Sequence, residues 1–382
     1  MTQKTYLGHN SLDNISQILA KHKPKKIMLI TGKKSFDDSG ANQKLMPYLK
    51  DYEVIRFNEF TTNPKIEDVI KGIERINDEN PDFIISIGGG SVIDIAKQIN
   101  VLSFQSSFSK KNILDGTLDI CNPGLPSIVI PTTSGTGSEA THFAVLFIDG
   151  TKYSVASDLL IPDYAIVDPS LTENLPKHVV ATTAMDALCQ SVESFWSVKS
   201  TEESRSFAYS SIKLILENVI NAYNGDVNAK AKMSEAAFLS GKAINISYTT
   251  AAHSLSYPLT TLYGISHGHA VALTLGSFFV INSNLKDYTI NDPRGSDFLE
   301  SIMNDIFSLF NVKDGTECKI KFRDILIHIG LEIDLFKIGI NTQSDINKIV
   351  DNVNLDRLNN NPIKLNRNDL MKIFTDLMND KL

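Results

Sequence analysis

Short apolar runs and amphipathic stretches alternate over the first part of the chain. The apolar runs have the length and the β-branched content of buried strands. They lie at residues 25–31, 52–60, 83–87, 126–130 and 164–169. An amphipathic stretch at residues 66–76 predicts a helix, and the Asp149-Gly150 pair between two alternating runs predicts a β-hairpin. Strands that alternate with helices in this way predict a parallel sheet covered on both faces.

The pattern changes near residue 175. Beyond this point strand-like runs become scarce, and apolar residues recur with helical spacing, as at residues 212–219. An asparagine-rich stretch at residues 359–362 predicts a surface loop. We therefore predict two domains: an α/β domain with a parallel sheet at residues 1–175, and an all-helical domain at residues 176–382.

Residues 83–97, FIISIGGGSVIDIAK, combine a strand, a glycine turn and the start of a helix. Ser91 is the predicted N-cap of that helix. A helix N-terminus presents free N–H groups and a positive dipole, and three successive glycines let an anion approach the backbone. The stretch therefore predicts a phosphate-binding turn, with a plain tight turn as the alternative. Its spacing differs from the G-x-G-x-x-G dinucleotide fingerprint.

The composition is that of an ordinary soluble protein of 382 residues, with 42% hydrophobic and 21% charged residues. A net charge of -7 argues against a nucleic-acid partner, and no basic run indicates a membrane surface. Neither a signal peptide nor an apolar run of membrane-spanning length is visible. The three cysteines lie far apart, so neither a disulfide framework nor a cysteine metal site is predicted. These features favour a cytoplasmic globular protein.

A second group of polar residues lies in the helical half. Asp186, Gln190 and Glu193 share one face of a predicted helix. His253 and His267 are fourteen residues apart among apolar neighbours. An aspartate with two histidines is a common ligand set for a first-row metal, although buried histidines often serve only as hydrogen-bonding groups. The spacing leaves both interpretations open.

Four separated motifs occur in an order that resembles the iron-containing, or group III, alcohol dehydrogenases. They are GGGSVIDIAK at residues 88–97, PTTSGTGSE at residues 131–139, MDAL at residues 185–188, and the paired histidines ahead of His267-Gly268. The resemblance extends from about residue 25 to residue 276. Within the family, DALCQ, SYPL and HGHAVA are most similar to the phosphonoacetaldehyde reductases, also called hydroxyethylphosphonate dehydrogenases.

The resemblance implies a fold shared with dehydroquinate synthase: a dinucleotide-binding α/β domain followed by an all-helical domain, with the active site in the cleft between them. The implied cofactor residues are Gly89, Gly90 and Ser91 at the pyrophosphate with Asp94 beside them, Thr132, Thr133 and Thr136 on the nicotinamide side, Lys152 near the nicotinamide ribose, and Asn63 beside the nucleotide. The run of hydroxyls and glycines at residues 131–139 has a flexible loop as its alternative interpretation.

Members of the family hold iron or zinc with one aspartate and three histidines. The resemblance places Asp186, His253 and His267 at three of these positions and Gln190 at the fourth. A glutamine oxygen is a weaker ligand for these metals than an imidazole. Tyr257 likewise stands where many members carry a histidine near the nicotinamide. These departures leave open an alternative in which metal binding is weak or lost.

The implied activity is reversible hydride transfer between NAD(P)H and a small aldehyde or alcohol, in particular reduction of phosphonoacetaldehyde to 2-hydroxyethylphosphonate. The metal polarises the carbonyl oxygen, and a relay of water with Tyr257 or His269 supplies the proton. Arg205 and Lys242 are candidate partners for a phosphonate, or ordinary surface charges. The family also implies a homodimer. A lyase, a dehydrogenase of another alcohol or sugar phosphate, and a non-catalytic dinucleotide-binding protein are the alternatives.

The residues after the first predicted strand bear on the choice of cofactor. Gly32 stands where NAD-preferring members of the family tend to carry an aspartate that binds the adenine ribose. Lys33, Lys34 and Ser35 follow directly and add two positive charges and a hydroxyl. The missing acid and the added bases both favour NADPH. A solvated turn that leaves NADH as the cofactor is the alternative.

Overall fold

Two compact units make up the chain, Met1–Leu175 and Pro176–Leu382. The computed structural model describes residues 3–379, apart from the side chain at position 356. The first unit contains the β-sheet, and the second contains the long helices.

The described part of the first unit has eight strands. They are β1 (Lys4–Leu7), β2 (Lys26–Thr31), β3 (Glu53–Phe57), β4 (Phe83–Gly88), β5 (Ser127–Pro131), β6 (Phe143–Ile148), β7 (Thr151–Ala156) and β8 (Tyr164–Val167). Six of them form one parallel sheet in the order β1-β8-β5-β4-β2-β3. The other two, β6 and β7, form the predicted antiparallel hairpin, whose turn residues Asp149 and Gly150 both have positive φ.

Both faces of the sheet are covered, as the apolar runs predict. Successive strand residues point to opposite faces. Ile27 and Leu29 of β2 therefore join one buried core, and Met28 and Ile30 join the other. The covering helices are α1 (Asn14–His22), α2 (Ser35–Asp38), α3 (Ala41–Leu49), α4 (Ile66–Glu79), α5 (Gly90–Leu102) and α6 (Lys110–Leu114). The edge strand β1 was not predicted, because four residues with little burial give a weak pattern.

The prediction that Ser91 caps the helix after the glycine turn is wrong. Helix α5 begins at Gly90, and Gly89 is its N-cap, with an extended backbone (φ -75°, ψ -179°). The segment between β5 and β6 (residues 132–142) is called the threonine loop. A Cβ on Gly90 would lie 2.7 Å from the Thr136 hydroxyl, so the close approach of this loop requires glycine there. The Ser91 hydroxyl instead accepts a hydrogen bond from the N–H of Asn63 (3.4 Å).

The second unit is mostly helical. Its helices are α7 (Lys177–Trp196), α8 (Glu202–Tyr223), α9 (Val227–Ser247), α10 (Ala251–Tyr263), α11 (His267–Ser283), α12 (Ser296–Phe310), α13 (Gly315–His328), α14 (Gln343–Asp351) and α15 (Arg367–Asn379), with a 3₁₀ turn at Leu355–Asn360. Within its described residues, β-pairing is limited to a bridge between Ile290 and Ile363. None of the helices described combines the length and the apolar character needed to cross a membrane.

The asparagine-rich stretch is not a surface loop, contrary to the prediction. Asn361 is fully buried, and the Asn360 carboxamide donates to the carbonyl oxygens of Ser247 (2.8 Å) and Thr249 (2.9 Å). These bonds fasten the 3₁₀ turn to the chain between α9 and α10. The Asn360 carboxamide, together with the Ser197 hydroxyl on Ser247, supplies donors to carbonyl oxygens at the end of α9.

Candidate functional site

Three helices of the second unit bring Asp186, His253 and His267 together. Their ligand atoms all lie within 4.8 Å of one another. The Asp186 Oδ1 atom is 3.6 Å from Nε2 of His253 and 3.8 Å from Nε2 of His267. Asp186 lies within α7, His253 near the start of α10, and His267 is the first residue of α11.

Gly268 allows the start of α11 to lie directly against α7. A Cβ at this position would be 2.0 Å from the carbonyl oxygen of Thr182 and 2.9 Å from Cβ of Asp186. Any side chain here would push the two helices apart and would separate His267 from Asp186. The His-Gly pair in the sequence is therefore explained by packing at the site.

Glu193 orients the imidazole of His253. Its Oε2 atom accepts the Nδ1–H of His253, and Oε1 accepts from N–H of Thr250 (3.1 Å), the hydroxyl of Thr250 (2.8 Å) and N–H of His253 (3.2 Å). The Nδ1 proton is thus held by Glu193, which leaves Nε2, the atom directed at Asp186, as the position for a second proton or a metal ion. Among the described residues, this buried Nε2 atom has no hydrogen-bond partner. A carboxylate behind a histidine is a usual second partner at metal sites.

Ser256 lies behind the imidazole of His267, as Glu193 lies behind that of His253. Its hydroxyl donates to the carbonyl oxygen of His253 (2.7 Å) and lies 3.3 Å from Nδ1 of His267. Since the hydroxyl proton is used on that carbonyl, the oxygen accepts from Nδ1–H. The Nε2 atom of His267 then also faces the aspartate with its lone pair. Sequence reasoning placed Glu193 on this helix face and Ser256 in a motif, without assigning either a role.

Electrostatics at the group favour positive charge. Burial alone lowers the pKa of His253, but the carboxylates of Glu193 and Asp186 outweigh it and raise the pKa to about 10. The site therefore attracts a cation, and a divalent ion competes with a proton for this nitrogen. One carboxylate oxygen and two imidazole nitrogens suit zinc or iron(II). These residues fit the metal that the sequence predicts.

Gln190 lies one turn along α7 from Asp186 and is buried. Its Oε1 atom accepts a hydrogen bond from the Ser240 hydroxyl (2.8 Å). A carboxamide oxygen has two lone pairs, so this bond leaves one for a metal ion. Its place as a fourth ligand stays a prediction.

Tyr257 lies against His267, with nearly parallel rings (5°) whose centroids are 6.1 Å apart. Its phenol oxygen accepts a hydrogen bond from Nη1 of Arg357 (2.7 Å). His269 is directed elsewhere, because its Nε2 is 2.6 Å from the carbonyl oxygen of Glu332. Burial lowers the pKa of His269, so a neutral ring that donates to this carbonyl is favoured. Of the two residues predicted for the proton relay, Tyr257 is the one that contacts a histidine of the group.

In the first unit, the glycine turn and the threonine loop lie side by side. The N–H of Thr132 donates to the carbonyl oxygen of Gly88 (2.9 Å). A Cβ on Gly89 would lie 3.4 Å from the side chain of Thr133, and one on Gly90 would meet Thr136. The structure thus brings the predicted pyrophosphate residues together with the predicted nicotinamide residues.

Asp94 and Lys97 of α5 hold the threonine loop in place. Asp94 accepts from the Ser138 hydroxyl and from N–H of Val145 (3.1 Å), and the charge of Lys152 on β7 acts on it. The buried Lys97 ammonium donates to backbone oxygens at positions 138, 141 and 143 (2.6–3.0 Å). Asp94 therefore supports the loop, and its place beside the cofactor stays a prediction.

Arg56 of β3 reaches the turn after β2, a position that sequence reasoning missed. Its Nε donates to the hydroxyl of Thr31 (2.8 Å) and its Nη2 to the carbonyl oxygen of Gly32 (3.1 Å). The exposed Lys33 and Lys34 follow Gly32. A Cβ on Gly32 would lie 2.1 Å from the Ser35 hydroxyl. Arg56 thus adds a third positive charge, after Lys33 and Lys34, to the turn from which the preference for NADPH was predicted.

Two family models match the chain. The model of iron-containing alcohol dehydrogenases matches residues 2–169, and that of the C-terminal region of the Fe-containing alcohol dehydrogenase family matches residues 180–378. The chain belongs to the iron-containing alcohol dehydrogenase family. Membership confirms the predicted family, and the parallel sheet with its mostly helical partner confirms the predicted fold class.

The relatives match different shares of this iron-containing alcohol dehydrogenase. The NADPH-dependent butanol dehydrogenase of Clostridium saccharobutylicum is 30% identical and covers 97% of this chain and 95% of that protein. The phosphonoacetaldehyde reductase of Streptomyces viridochromogenes is 32% identical over 58% of this chain and 59% of that protein. A crystal structure of sulfoacetaldehyde reductase from Bifidobacterium kashiwanohense with NAD+ has a TM-score of 0.87 and 29% identity, over 99% of this chain and 98% of that one.

These findings confirm the predicted class of enzyme, an NAD(P)-linked alcohol dehydrogenase that uses a nicotinamide cofactor and a divalent metal. The substrate, the ligand role of Gln190 and the residue-by-residue cofactor contacts stay predictions.

Proposed function

We propose that this iron-containing alcohol dehydrogenase reduces phosphonoacetaldehyde to 2-hydroxyethylphosphonate, with NADPH as the preferred cofactor. The proposed metal-dependent reduction is supported chiefly by the hydrogen bonds that Glu193 and Ser256 make to the Nδ1 atoms of His253 and His267. This arrangement directs both Nε2 atoms to Asp186 and preforms a cation site.

Asp186, His253 and His267 would hold the divalent ion, with Gln190 as the candidate fourth ligand. When bound, the ion supplies Lewis acidity towards a carbonyl oxygen, and the nicotinamide supplies the hydride. Tyr257 is the proposed proton donor to the developing alkoxide. Its oxygen accepts from Arg357, and a phenol that accepts one hydrogen bond can also donate its own proton.

The preference for NADPH rests on charge at the turn after β2. No carboxylate stands at Gly32 to repel a 2′-phosphate, and Lys33, Lys34 and Arg56 bring three positive charges to this turn. An arginine near the adenine ribose is a usual partner of the 2′-phosphate. The butanol dehydrogenase that matches nearly the whole chain is named as NADPH-dependent.

The choice of substrate rests on the names of two relatives. Phosphonoacetaldehyde and sulfoacetaldehyde are both two-carbon aldehydes with a tetrahedral anion on the neighbouring carbon. The motif likeness of the sequence favours the phosphonate. A cytoplasmic location and a homodimer stay predictions.

His267→Ala tests the proposed function. Because it removes one of three strong ligands, we expect loss of bound metal and a fall in turnover beyond the ~10–100-fold that is typical of losing an outer partner. Metal is measured by mass spectrometry, and NADPH oxidation is followed with phosphonoacetaldehyde, sulfoacetaldehyde and propanal. His178→Ala, an exposed histidine of α7, is the matched control. Full activity in metal-free protein, or a wild type that prefers propanal, would contradict the proposal.

A further inference from the structure

We propose that Arg357 binds the tetrahedral anionic group of the substrate and so determines its class. This inference rests on the proposed function, since it assumes an aldehyde whose oxygen is bound at the group of Asp186, His253 and His267. The predicted class is a short aldehyde or alcohol that carries a phosphonate or a sulfonate on the neighbouring carbon.

Asp186, His253 and His267 are called the metal group. Arg357 is linked to this group through the side chain of Tyr257. Its guanidinium carbon lies 4.8 Å from the centroid of the Tyr257 ring, and Nη1 donates to the phenol oxygen of that ring. Tyr257 in turn stacks on the imidazole of His267. In a two-carbon aldehyde, three covalent bonds separate the carbonyl oxygen from the phosphorus or sulfur atom. A cation one side chain away from a metal ligand is therefore well placed for the anionic end of such a substrate.

The backbone that carries Arg357 is held firmly. Asn360, on the same 3₁₀ turn, donates to the carbonyl oxygens of Ser247 and Thr249, just ahead of the helix that bears His253. The N–H of Val198 donates to the Asn360 carbonyl oxygen (3.1 Å). A fixed backbone reduces the entropy that is lost when a long side chain binds a ligand.

The guanidinium retains donors for a ligand. An arginine has five N–H donors, and Arg357 uses one of them, on Tyr257, among the side chains that the structure describes. Among the described side chains, which do not include that of residue 356, no carboxylate forms an ion pair with Arg357. By contrast, Arg294 is paired with Asp292 and Arg367 with Asp351. A partly exposed, planar guanidinium of this kind matches the oxygens of a phosphonate or a sulfonate.

The cations predicted from the sequence make other contacts. The guanidinium carbon of Arg205 lies 5.3 Å from the ring centroid of Phe298, and its Nη1 donates to the Ser200 hydroxyl (3.4 Å). Lys242 lies 4.2 Å from the ring centroid of Phe207. Neither contact involves Tyr257 or a histidine of the metal group, so Arg357 is the better candidate.

Two substitutions separate anion binding from support of Tyr257. Arg357→Gln keeps a donor for the phenol and removes the charge, whereas Arg357→Lys keeps the charge and loses the planar fork. For phosphonoacetaldehyde and sulfoacetaldehyde, we expect Arg357→Gln to raise KM roughly 10- to 100-fold, the worth of a charge-assisted hydrogen bond, and Arg357→Lys to raise it less. For propanal, which has no anion, any change in kcat/KM reports only the altered partner of Tyr257, and we expect it to be at least about tenfold smaller than the change for the two anionic aldehydes.

Binding is measured separately by calorimetry on the metal-loaded protein with NADP+, using 2-hydroxyethylphosphonate and 2-hydroxyethanesulfonate. Their relative Kd values show which tetrahedral anion fits, and Arg357→Gln should weaken both. Metal content and circular dichroism confirm that each variant is folded and loaded. Arg367→Gln, an exposed arginine of α15, is the matched control and should change neither KM nor Kd.

The proposal is overturned if Arg357→Gln impairs propanal and the anionic aldehydes equally, since Arg357 would then only position Tyr257. It is also overturned if the wild type shows no preference for anionic aldehydes, or if Arg205→Gln produces the selective loss instead. Anion binding that depends on Arg357 in a protein that reduces no aldehyde would support the anion site and contradict the proposed function. The two failures are thus distinguishable.

Discussion

Replacing Glu193 by glutamine is the sharpest test of how the metal group is built. The carboxylate is fully buried and accepts four hydrogen bonds, three at Oε1 and one at Oε2. Glutamine keeps the volume but turns one acceptor into an NH₂ donor. If this NH₂ lies at the Oε1 position, the backbone N–H groups of Thr250 and His253 lose their acceptor, at about 1–3 kcal/mol each.

The other orientation costs less and is therefore expected. With the NH₂ at the Oε2 position, it faces Nδ1 of His253, which must then accept rather than donate. The imidazole proton moves to Nε2, the atom that faces Asp186. A protonated Nε2 cannot bind a metal ion. Loss of an outer partner typically weakens metal affinity by ~10–100-fold, and this inversion of the tautomer should bring the loss to the upper end of that range or beyond.

The assay is competition against graded chelator, with bound metal measured at each step and turnover measured on fully loaded protein. Thermal unfolding of the metal-free forms reports the folding cost separately. Glu203→Gln, an exposed glutamate on α8, is the matched control. Metal affinity equal to that of the wild type, with unchanged turnover, would refute the claim that Glu193 fixes the tautomer of His253.

Three further predictions concern Gln190, the turn after β2, and Lys97. Gln190→His should slow the loss of metal to graded chelator, because an imidazole nitrogen is a stronger ligand than a carboxamide oxygen; unchanged retention would exclude Gln190 from the ligand set. Gly32→Asp and Arg56→Gln should each lower the kcat/KM ratio of NADPH to NADH by about tenfold or more; Gly32→Asp also requires the Ser35 hydroxyl to rotate away. An unchanged ratio would show that this turn does not contact the 2′ position of the adenine ribose. Lys97→Met should lower the free energy of unfolding by at least roughly 1–3 kcal/mol, because carbonyl oxygens lose their donor. Burial lowers the pKa of Lys97 to about 8, so above that pH the unfolded chain keeps a proton on this lysine that the folded chain has lost. The free energy of unfolding of the wild type should therefore increase relative to that of Lys97→Met as the pH rises above 8. A difference between the two proteins that does not change with pH would contradict this.

Much of the fold was predictable because its signals are local. Buried parallel strands read as continuous apolar runs, and a hairpin turn reads as Asp149-Gly150. Helical spacing similarly marks the second unit. The start of α5 was mispredicted because Ser91 has the side chain of an N-cap, while the glycines before it let the chain turn one residue earlier.

The site was predictable only in part. Asp186, His253 and His267 could be proposed as a group because they stand in motifs that resemble a known family. The roles of Glu193 and Arg357 depend on contacts between residues that are distant in the sequence, such as the hydrogen bond from Arg357 to Tyr257. No spacing rule reveals such a contact. The burial of Asn361 was missed for the same reason, since its partners arrive from other elements.

The metal group also has a consequence for the amount of enzyme in a cell. Asp186, His253 and His267 come from three separate helices, so a shared ion would cross-link them and add its binding energy to folding. With free metal a hundredfold above its Kd, the gain is about 2.7 kcal/mol. A chain that is short of metal would open more often and be degraded sooner by proteases. Metal supply would then govern how long each molecule survives as well as how fast it works.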